Sequence, residues 1–358
     1  MKNSNSEQNA LLFDSRFISV IFFVCSIMVV GIHCYNAATL PPDDIVFYIE
    51  GFFCHGLFVA AVPIFFYLSG YLFFRNIQSI TDVFKKMGTR AKSVLMPFLA
   101  WSSIYLLFYL VGSTVFSGML NDPILLDPLS IIKYIVFYRY SFALWYMYQL
   151  MMYLLLTPII FFVIKKRWIA VLLLVACFLF SVFVTDGIDF KAFNDIPRSI
   201  FQFNFFCYYL AGCMSVKFAG EINKIKEFIF RNKKLSMIVS TALLIMFSFL
   251  GALTFDRILP IIYDRIFVPL IAVFLFIFVG LIYEKIPYPK QVSTMIVYGV
   301  HTMVCVCMSY VYMPILPYVP KLVLFIIATA VGAVLSCLIS YILKRFFKPI
   351  YYVLSGGR

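Results

Sequence analysis

Charge is scarce in this 358-residue chain, since Asp, Glu, Lys and Arg make up only 13% of it. A soluble globular domain carries about 25% charged residues, so this deficit excludes an ordinary soluble protein. Hydrophobic residues instead reach 63% and aromatic residues 19%. Because a bilayer core needs about 20 consecutive apolar residues per spanning helix, the composition is typical of a polytopic membrane protein.

Recognisable metal-binding and phosphate-binding motifs are also missing. The nine cysteines show no spacing typical of a metal site, and most lie in apolar stretches, where thiols behave as small hydrophobes. Cys34 and Cys54 fall near the same predicted membrane face, which leaves a disulfide between them open. No Gly-rich phosphate loop occurs. We therefore expect neither a metal nor a bound cofactor.

Ten uninterrupted runs of uncharged residues divide the chain, each about 18 residues or longer and so long enough for one transmembrane helix. They are 17–42, 51–74, 93–121, 140–164, 168–185, 199–216, 235–255, 266–283, 291–320 and 322–343. The sequence therefore predicts an all-α protein of about ten spans. We expect one membrane domain over residues 1–358, with a core at 16–345 and short tails.

Lys and Arg are distributed unevenly around these runs. With the N-terminus in the cytoplasm, 22 of the 29 Lys and Arg residues fall on the cytoplasmic side, as the positive-inside rule requires. An even number of spans then places both termini in the cytoplasm. The net charge of +13 is spread over short loops, so anionic lipids explain it and nucleic acid does not. Segment 217–234 predicts an amphipathic helix on the membrane surface.

Ionisable side chains inside a bilayer are costly and mark candidate functional sites. Only three histidines occur. His33 lies late in the first run and His301 lies in the ninth, whereas His55 comes before the apolar core of the second run, where an interfacial position is expected. Of His33 and His301, we expect one to act as a general base and the other as its hydrogen-bond partner. The alternative for each is a histidine that only bonds a neighbouring helix.

Polar and aromatic residues of other runs are candidates for a pocket. Ser69 precedes a glycine in the second run, a pair that allows either close helix approach or a kink. In the fourth run Gln149 and Tyr153 lie one helical turn apart, close to Trp145 and Tyr146. For these last two, an anchor at the membrane interface is the alternative.

Arg90 and Lys92 precede the third run at the predicted cytoplasmic face. They serve either as topogenic charges or as contacts for an anionic ligand.

In their order along the chain, these segments resemble the membrane acyltransferase-3 family, in particular its polysaccharide O-acetyltransferases. The matching pieces are VVGIH ending at His33, VPIFFYLSGYLFF at 62–74, the basic stretch before Pro97, LWYMYQLMMYLLLTP at 144–158, YYLAGC at 208–213, and Ser293 with Tyr298 and His301.

The resemblance implies transfer of an acyl group, most simply acetyl from cytoplasmic acetyl-CoA, to a hydroxyl of a cell-surface polysaccharide or lipid-linked glycan. It implies a bacterial inner-membrane enzyme with His33 as the catalytic histidine and with Arg90 and Lys92 on the phosphates of the donor. The pocket residues that it implies are Ser69, Trp145, Tyr146, Gln149, Tyr153, Tyr298 and His301.

Three places depart from the family pattern. Phe22 stands where members place an Arg eleven residues before the histidine of the first run. Val59 and Ala60 replace an Arg before the VP pair, and Ala143 replaces a His before the LW pair. These replacements keep two other functions open: a glycan or lipid translocator, and a non-catalytic scaffold of polysaccharide assembly. No carboxylate or arginine interrupts a run, which disfavours ion-coupled transport.

Overall fold

Helices make up all the regular structure in the computed structural model, which describes residues 12–36, 44–115, 124–183, 200–254, 260–312, 314 and 318–357. The main helices are Ser15–Ile32 (α1), Ile45–Phe74 (α2), Ile80–Val115 (α3), Pro128–Val136 (α4), Trp145–Leu155 (α5), Thr157–Val163 (α6), Arg167–Phe183 (α7), Phe203–Ser215 (α8), Ala219–Arg231 (α9), Lys233–Thr254 (α10), Tyr263–Lys285 (α11), Thr294–Tyr312 (α12), Lys321–Phe346 (α13) and Lys348–Ser355 (α14). The predicted all-α fold is confirmed over these ranges.

Seven of the described helices are long and apolar enough to cross a membrane: α1, α2, α3, α10, α11, α12 and α13. The pair α5 and α6, bent by 56°, forms an eighth span if it is counted as one. At 17 and 13 residues, α7 and α8 are shorter than the roughly 20 residues of a straight span. The polytopic architecture is thus confirmed, whereas the count of ten and the cytoplasmic termini stay predictions.

Acidic N-caps fix where several helices begin. The side chains of Asp14, Asp44 and Asp127 each accept a hydrogen bond from a backbone N–H in the first turn of α1, α2 and α4. The first four N–H groups of a helix have no partner inside the helix, so such a cap satisfies one or two of them. Asp14 in particular sets the start of α1, whose opposite end carries His33.

The second span is longer and less regular than the sequence predicts. α2 begins at Ile45 and not at residue 51, because the buried Glu50 lies inside the helix and does not end it. Its middle contains a π-helical turn, Phe52–Leu57, and a 3-10 turn, Phe58–Ala60. π-helical turns are rare in proteins overall, and those that occur often lie at functional sites.

α2 and α8 pack backbone against backbone at a pair of glycines. A Cβ atom on Gly70 would overlap the carbonyl oxygen of Tyr209, and a Cβ on Gly212 would overlap that of Tyr67. Helices in membranes associate closely through such small residues. The close approach predicted at residues 69 and 70 is therefore confirmed, and its partner is Gly212.

Replacing Gly212 by Val is expected to lower the free energy of unfolding by about 1–3 kcal/mol, because neither backbone can move away from the added methyl groups without repacking. Thermal unfolding of the purified protein in detergent measures the change. Gly88→Ala is the matched control, since a Cβ on Gly88 meets no atom within 4 Å. Equal melting temperatures for Gly212→Val and wild type would contradict the packing described.

Two smaller predictions are also decided by the structure. The amphipathic segment is helical as predicted, over Ala219–Arg231. All nine cysteines are free thiols. The Sγ atom of Cys34 lies 3.7 Å from that of Cys305, and the Cys54 thiol donates to the carbonyl of Gly31. The disulfide left open between Cys34 and Cys54 is therefore absent from the structure.

Candidate active site

A cavity of about 590 Å³ opens between α1, α2, α3, α5 and α12, and residues of α13 and α14 complete its wall. Three cations line it: Arg90 of α3, Lys290 just before α12, and Lys344 in the last turn of α13. Among the described residues that line this cavity there is no Asp or Glu. We call it the basic cavity, because its charge favours an anionic ligand.

Three of the predicted pocket residues meet in the wall of the basic cavity. The hydroxyls of Ser69 and Tyr146 lie 2.9 Å apart and share a hydrogen bond. The Tyr298 hydroxyl donates to the carbonyl of Ala143, and the rings of Tyr146 and Tyr298 are 5.8 Å apart. These contacts join α2, α5 and α12 through polar groups inside the bundle.

Two histidines meet beyond this wall. His33 is the residue at which α1 ends, and His301 lies in the third turn of α12. Their ring centroids are 4.9 Å apart. Ser26 is the α1 residue closest to His33 that lines the cavity. At 1.5 Å per residue, His33 lies about 10 Å beyond Ser26 along the axis of α1. The ring of Tyr298, 5.7 Å from that of His301, connects the cavity wall to this histidine pair.

The hydrogen bonding of His301 fixes its tautomer. Its Nδ1 lies 2.6 Å from the carbonyl oxygen of Tyr298, which only accepts, so in the neutral ring Nδ1 carries the proton. The Nε2 atom then has a free lone pair; it is fully buried and has no hydrogen-bond partner within the part of the chain that the structure describes. His33 is half-buried, whereas His301 has 0% of its surface exposed. Of the two rings, only that of His33 is therefore partly exposed.

Aromatic contacts hold α12 in place beside His301. Gly299 packs directly against the indole of Trp101, which would overlap any Cβ at residue 299. The Trp101 indole N–H donates to the carbonyl of Leu354, and the Tyr105 hydroxyl donates to that of Gly299. Since these contacts lie within one turn of His301, they set its distance from His33.

Gly299→Ala is expected to lower catalytic activity by about ten- to a hundredfold, because an added methyl displaces α12 by a fraction of an ångström to an ångström. Initial rates of the reaction proposed below measure this. Gly280→Ala is the control, since its Cβ meets nothing closer than 3.8 Å. Unchanged activity of Gly299→Ala would show that the spacing of the two histidines tolerates this shift.

A buried carboxylate fixes the chain just after His33. Glu50 has 0% of its surface exposed, and its Oε2 accepts a hydrogen bond of 3.1 Å from the backbone N–H of Asn36. The Asn36 side chain donates in turn to the carbonyl of Lys321. Glu50 thus acts as a positioning residue for the end of α1. Its role is not predictable from the uncharged runs, because Glu50 lies one position before the second run.

Comparison with known proteins bears on this arrangement. A profile of the acyltransferase-3 family, described as an acyltransferase domain, matches residues 17–345. The chain belongs to the acyltransferase-3 family. The chain is also 31% identical over 120 residues to the succinoglycan biosynthesis protein ExoH of Rhizobium meliloti, a match that covers 32% of each chain. No solved structure matches it.

Several residues that the family resemblance puts in the pocket lie elsewhere in the structure. Gln149 donates to the carbonyl of Ile200 and accepts from the N–H of Gln202. Tyr153 donates to the carbonyl of Gln202 at 2.6 Å. Trp145 packs on two phenylalanines, Phe66 and Phe205. Gln149, Tyr153 and Trp145 lie outside the lining of the basic cavity, and the same is true of the exposed Lys92.

Phe22, which stands in place of the family's arginine, faces the basic cavity and stacks on Phe65 with ring centroids 5.6 Å apart. The chain thus has an aromatic surface at the position where the family pattern described above expects an arginine. Lys290, just before α12, and Lys344 of α13 supply positive charge to the same cavity. The predicted topology places both lysines on the same side of the membrane as Arg90. It does not predict that all three cations line one cavity.

Proposed function

We propose that this membrane acyltransferase moves an acyl group, most simply acetyl from acetyl-CoA, to a hydroxyl of a cell-surface polysaccharide or lipid-linked glycan. The observation that carries the proposal is the histidine pair behind a cavity lined by three cations, linked to it through Tyr298. The proposed setting is the bacterial inner membrane, with both termini and the basic cavity facing the cytoplasm.

The basic cavity suits the donor. Acyl-CoA carries several phosphate charges on one end and a thioester on the other. Arg90, Lys290 and Lys344 supply donors for charge-assisted hydrogen bonds to phosphate, which are about twice as strong as neutral ones. With the phosphates held there, the thioester points along α1 towards Tyr146 and Tyr298. The cavity itself contains no described carboxylate that would repel the donor.

The histidine pair suits the transfer step. In the proposed reaction a ring nitrogen of His33 takes the proton of the acceptor hydroxyl while its oxygen attacks the thioester carbon. The carbon–sulfur bond breaks, the ester forms, and the proton passes from His33 to the departing sulfur. As His33 takes up the proton, its other nitrogen turns to donate to Nε2 of His301, an acceptor that has no hydrogen-bond partner among the described residues and whose tautomer is fixed by Tyr298. His301 thereby orients His33 and stabilises its charged form.

The acceptor reaches His33 from the end of the bundle opposite to the basic cavity. His33 is half-buried at the end of α1, whereas His301 is completely enclosed. Donor and acceptor therefore approach the pair from different sides, which suits transfer across a membrane. A polysaccharide acceptor is proposed from the family and from the name of the partly matching relative, a succinoglycan biosynthesis protein.

Mass spectrometry of the host's surface glycans, with and without this gene, tests the proposal. We expect an acyl mass to disappear with the gene and to return with the wild-type copy, which identifies acyl group and acceptor together. An unchanged acylation pattern combined with reduced glycan export would overturn the proposal in favour of a translocator or a scaffold.

A further inference from the structure

A second cavity, of about 430 Å³, runs along the outside of the bundle between α1, α2, α8, α9 and α11. Its lining is aliphatic and aromatic and includes Phe17, Tyr67, Ala211, Phe276 and Gly280. It follows α11 from Pro269 to Tyr283, a length of about 21 Å at 1.5 Å per residue. We call it the apolar groove. Its length exceeds the hydrocarbon depth of one leaflet, about 15 Å or half of the bilayer core.

The charged side chains of the apolar groove lie at one end only. Asp14 and Lys226 line that end, next to the start of α1, and no other charged residue is among its described lining. The Asp14 carboxylate already accepts from two backbone N–H groups of α1. The Lys226 ammonium donates to the carbonyl of Leu12 at 2.9 Å, which uses one of its three N–H bonds. A long apolar body with a single charged end fits an amphiphile and not a polar metabolite.

The charged residues around this end of the groove indicate which charge the headgroup of the amphiphile carries. The segment 217–234, which contains α9, carries six Lys and Arg residues and two Glu residues. One of those, Glu221, already forms an ion pair of 2.6 Å with Arg167. Lys and Arg near a membrane surface attract anionic lipids by about 1 kcal/mol each. The apolar face of α9 contributes Ile222, Ile225 and Ile229 to the groove, so the same helix presents both the cation and the apolar wall.

We propose that the apolar groove binds one acyl chain of an anionic phospholipid, whose headgroup contacts Lys226. The lipid belongs to the leaflet on the side of the N-terminus. There it packs against Phe17, whose ring lies 5.0 Å from that of Phe276, and so supports the first turn of α1. This lipid site does not depend on the acyl chemistry proposed above, and its test does not measure acylation.

The experiment compares lipid retention by native mass spectrometry after release from nanodiscs that contain phosphatidylcholine with or without phosphatidylglycerol of the same chains. The wild type is expected to retain one phosphatidylglycerol per chain. Gly280→Leu should reduce that retention at least tenfold, because its side chain enters the groove. Lys226→Ala should bind both lipids equally. Lys224→Ala is the matched control, an exposed lysine of the same helix outside the groove.

Equal retention of phosphatidylglycerol by Gly280→Leu and the wild type would overturn the proposal, as would identical behaviour of Lys226→Ala and Lys224→Ala. A lipid-free dimer would overturn it as well, since a second copy of the chain would then cover the groove. Should Gly280→Leu not fold, Val273→Phe fills the groove from an exposed position on α11 and gives the same test.

Discussion

His33→Ala is expected to reduce acylation by about 10²- to 10⁴-fold, the range that a positioned general base contributes. The half-buried His33 is the member of the pair within reach of an acceptor, and no other described histidine takes its place: His301 is fully enclosed and His55 packs on Tyr35. Transfer of labelled acetyl from acetyl-CoA to glycan in membrane vesicles measures the loss.

Two other histidine variants make this result specific. His301→Ala is expected to cost less activity than His33→Ala, because it removes the partner that orients the base and leaves the base itself. His55→Ala should act like the wild type. Acylation retained in His33→Ala would remove this residue from the mechanism. An active His33→Ala beside an inactive His301→Ala would exchange the two roles.

The general architecture was predictable from sequence because the bilayer imposes it. Long uncharged runs must be helical in lipid, since only helices satisfy their own backbone there, and the seven long helices all overlap predicted runs. The predicted boundaries of the runs are wrong where a charged residue is buried inside a spanning helix. Glu50 lies inside α2, and the buried Arg265 lies inside α11, where it donates to the carbonyl of Ser181.

The site was predictable only in part, because the spacing of residues along the chain does not show which distant segments lie close together in the fold. The sequence identified Ser69, Tyr146 and Tyr298, which do meet in one cavity wall. Gln149 and Tyr153 have the same polar and aromatic character, yet they bind the backbone at residues 200–202. A helix presents several faces, and only the packing of its neighbours decides which face lines a cavity.

Phe22, which stands where the family pattern expects an arginine, forms part of an aromatic wall in the structure. Phe22 stacks on Phe65 with an interplanar angle of 17°, and both rings line the basic cavity. Two stacked rings of this kind can pack against a planar group of a ligand. They carry no charge that could bind its phosphates. In the proposed reaction the phosphates of the acyl-CoA donor would therefore bind elsewhere in the cavity, at its three cations.

Removing those cations is expected to weaken donor binding strongly. Each of Arg90→Ala, Lys290→Ala and Lys344→Ala should raise the KM for acetyl-CoA about tenfold or more, since a hydrogen bond to a charged group contributes about 1.5–3 kcal/mol. The triple variant should approach a thousandfold if the three effects add. The kcat should change little, because the phosphates are bound equally in the ground state and the transition state.

The matched control for these variants is Lys92→Ala. Lys92 lies two residues from Arg90 on the same helix, but it is exposed and lies outside the cavity lining. Its removal should leave the KM for acetyl-CoA unchanged, although the resemblance to the family gives it the same role as Arg90. If Lys92→Ala raised the KM as much as Arg90→Ala while Lys290→Ala and Lys344→Ala did not, the donor would bind along the outer surface of α3, and the basic cavity would have to serve another ligand.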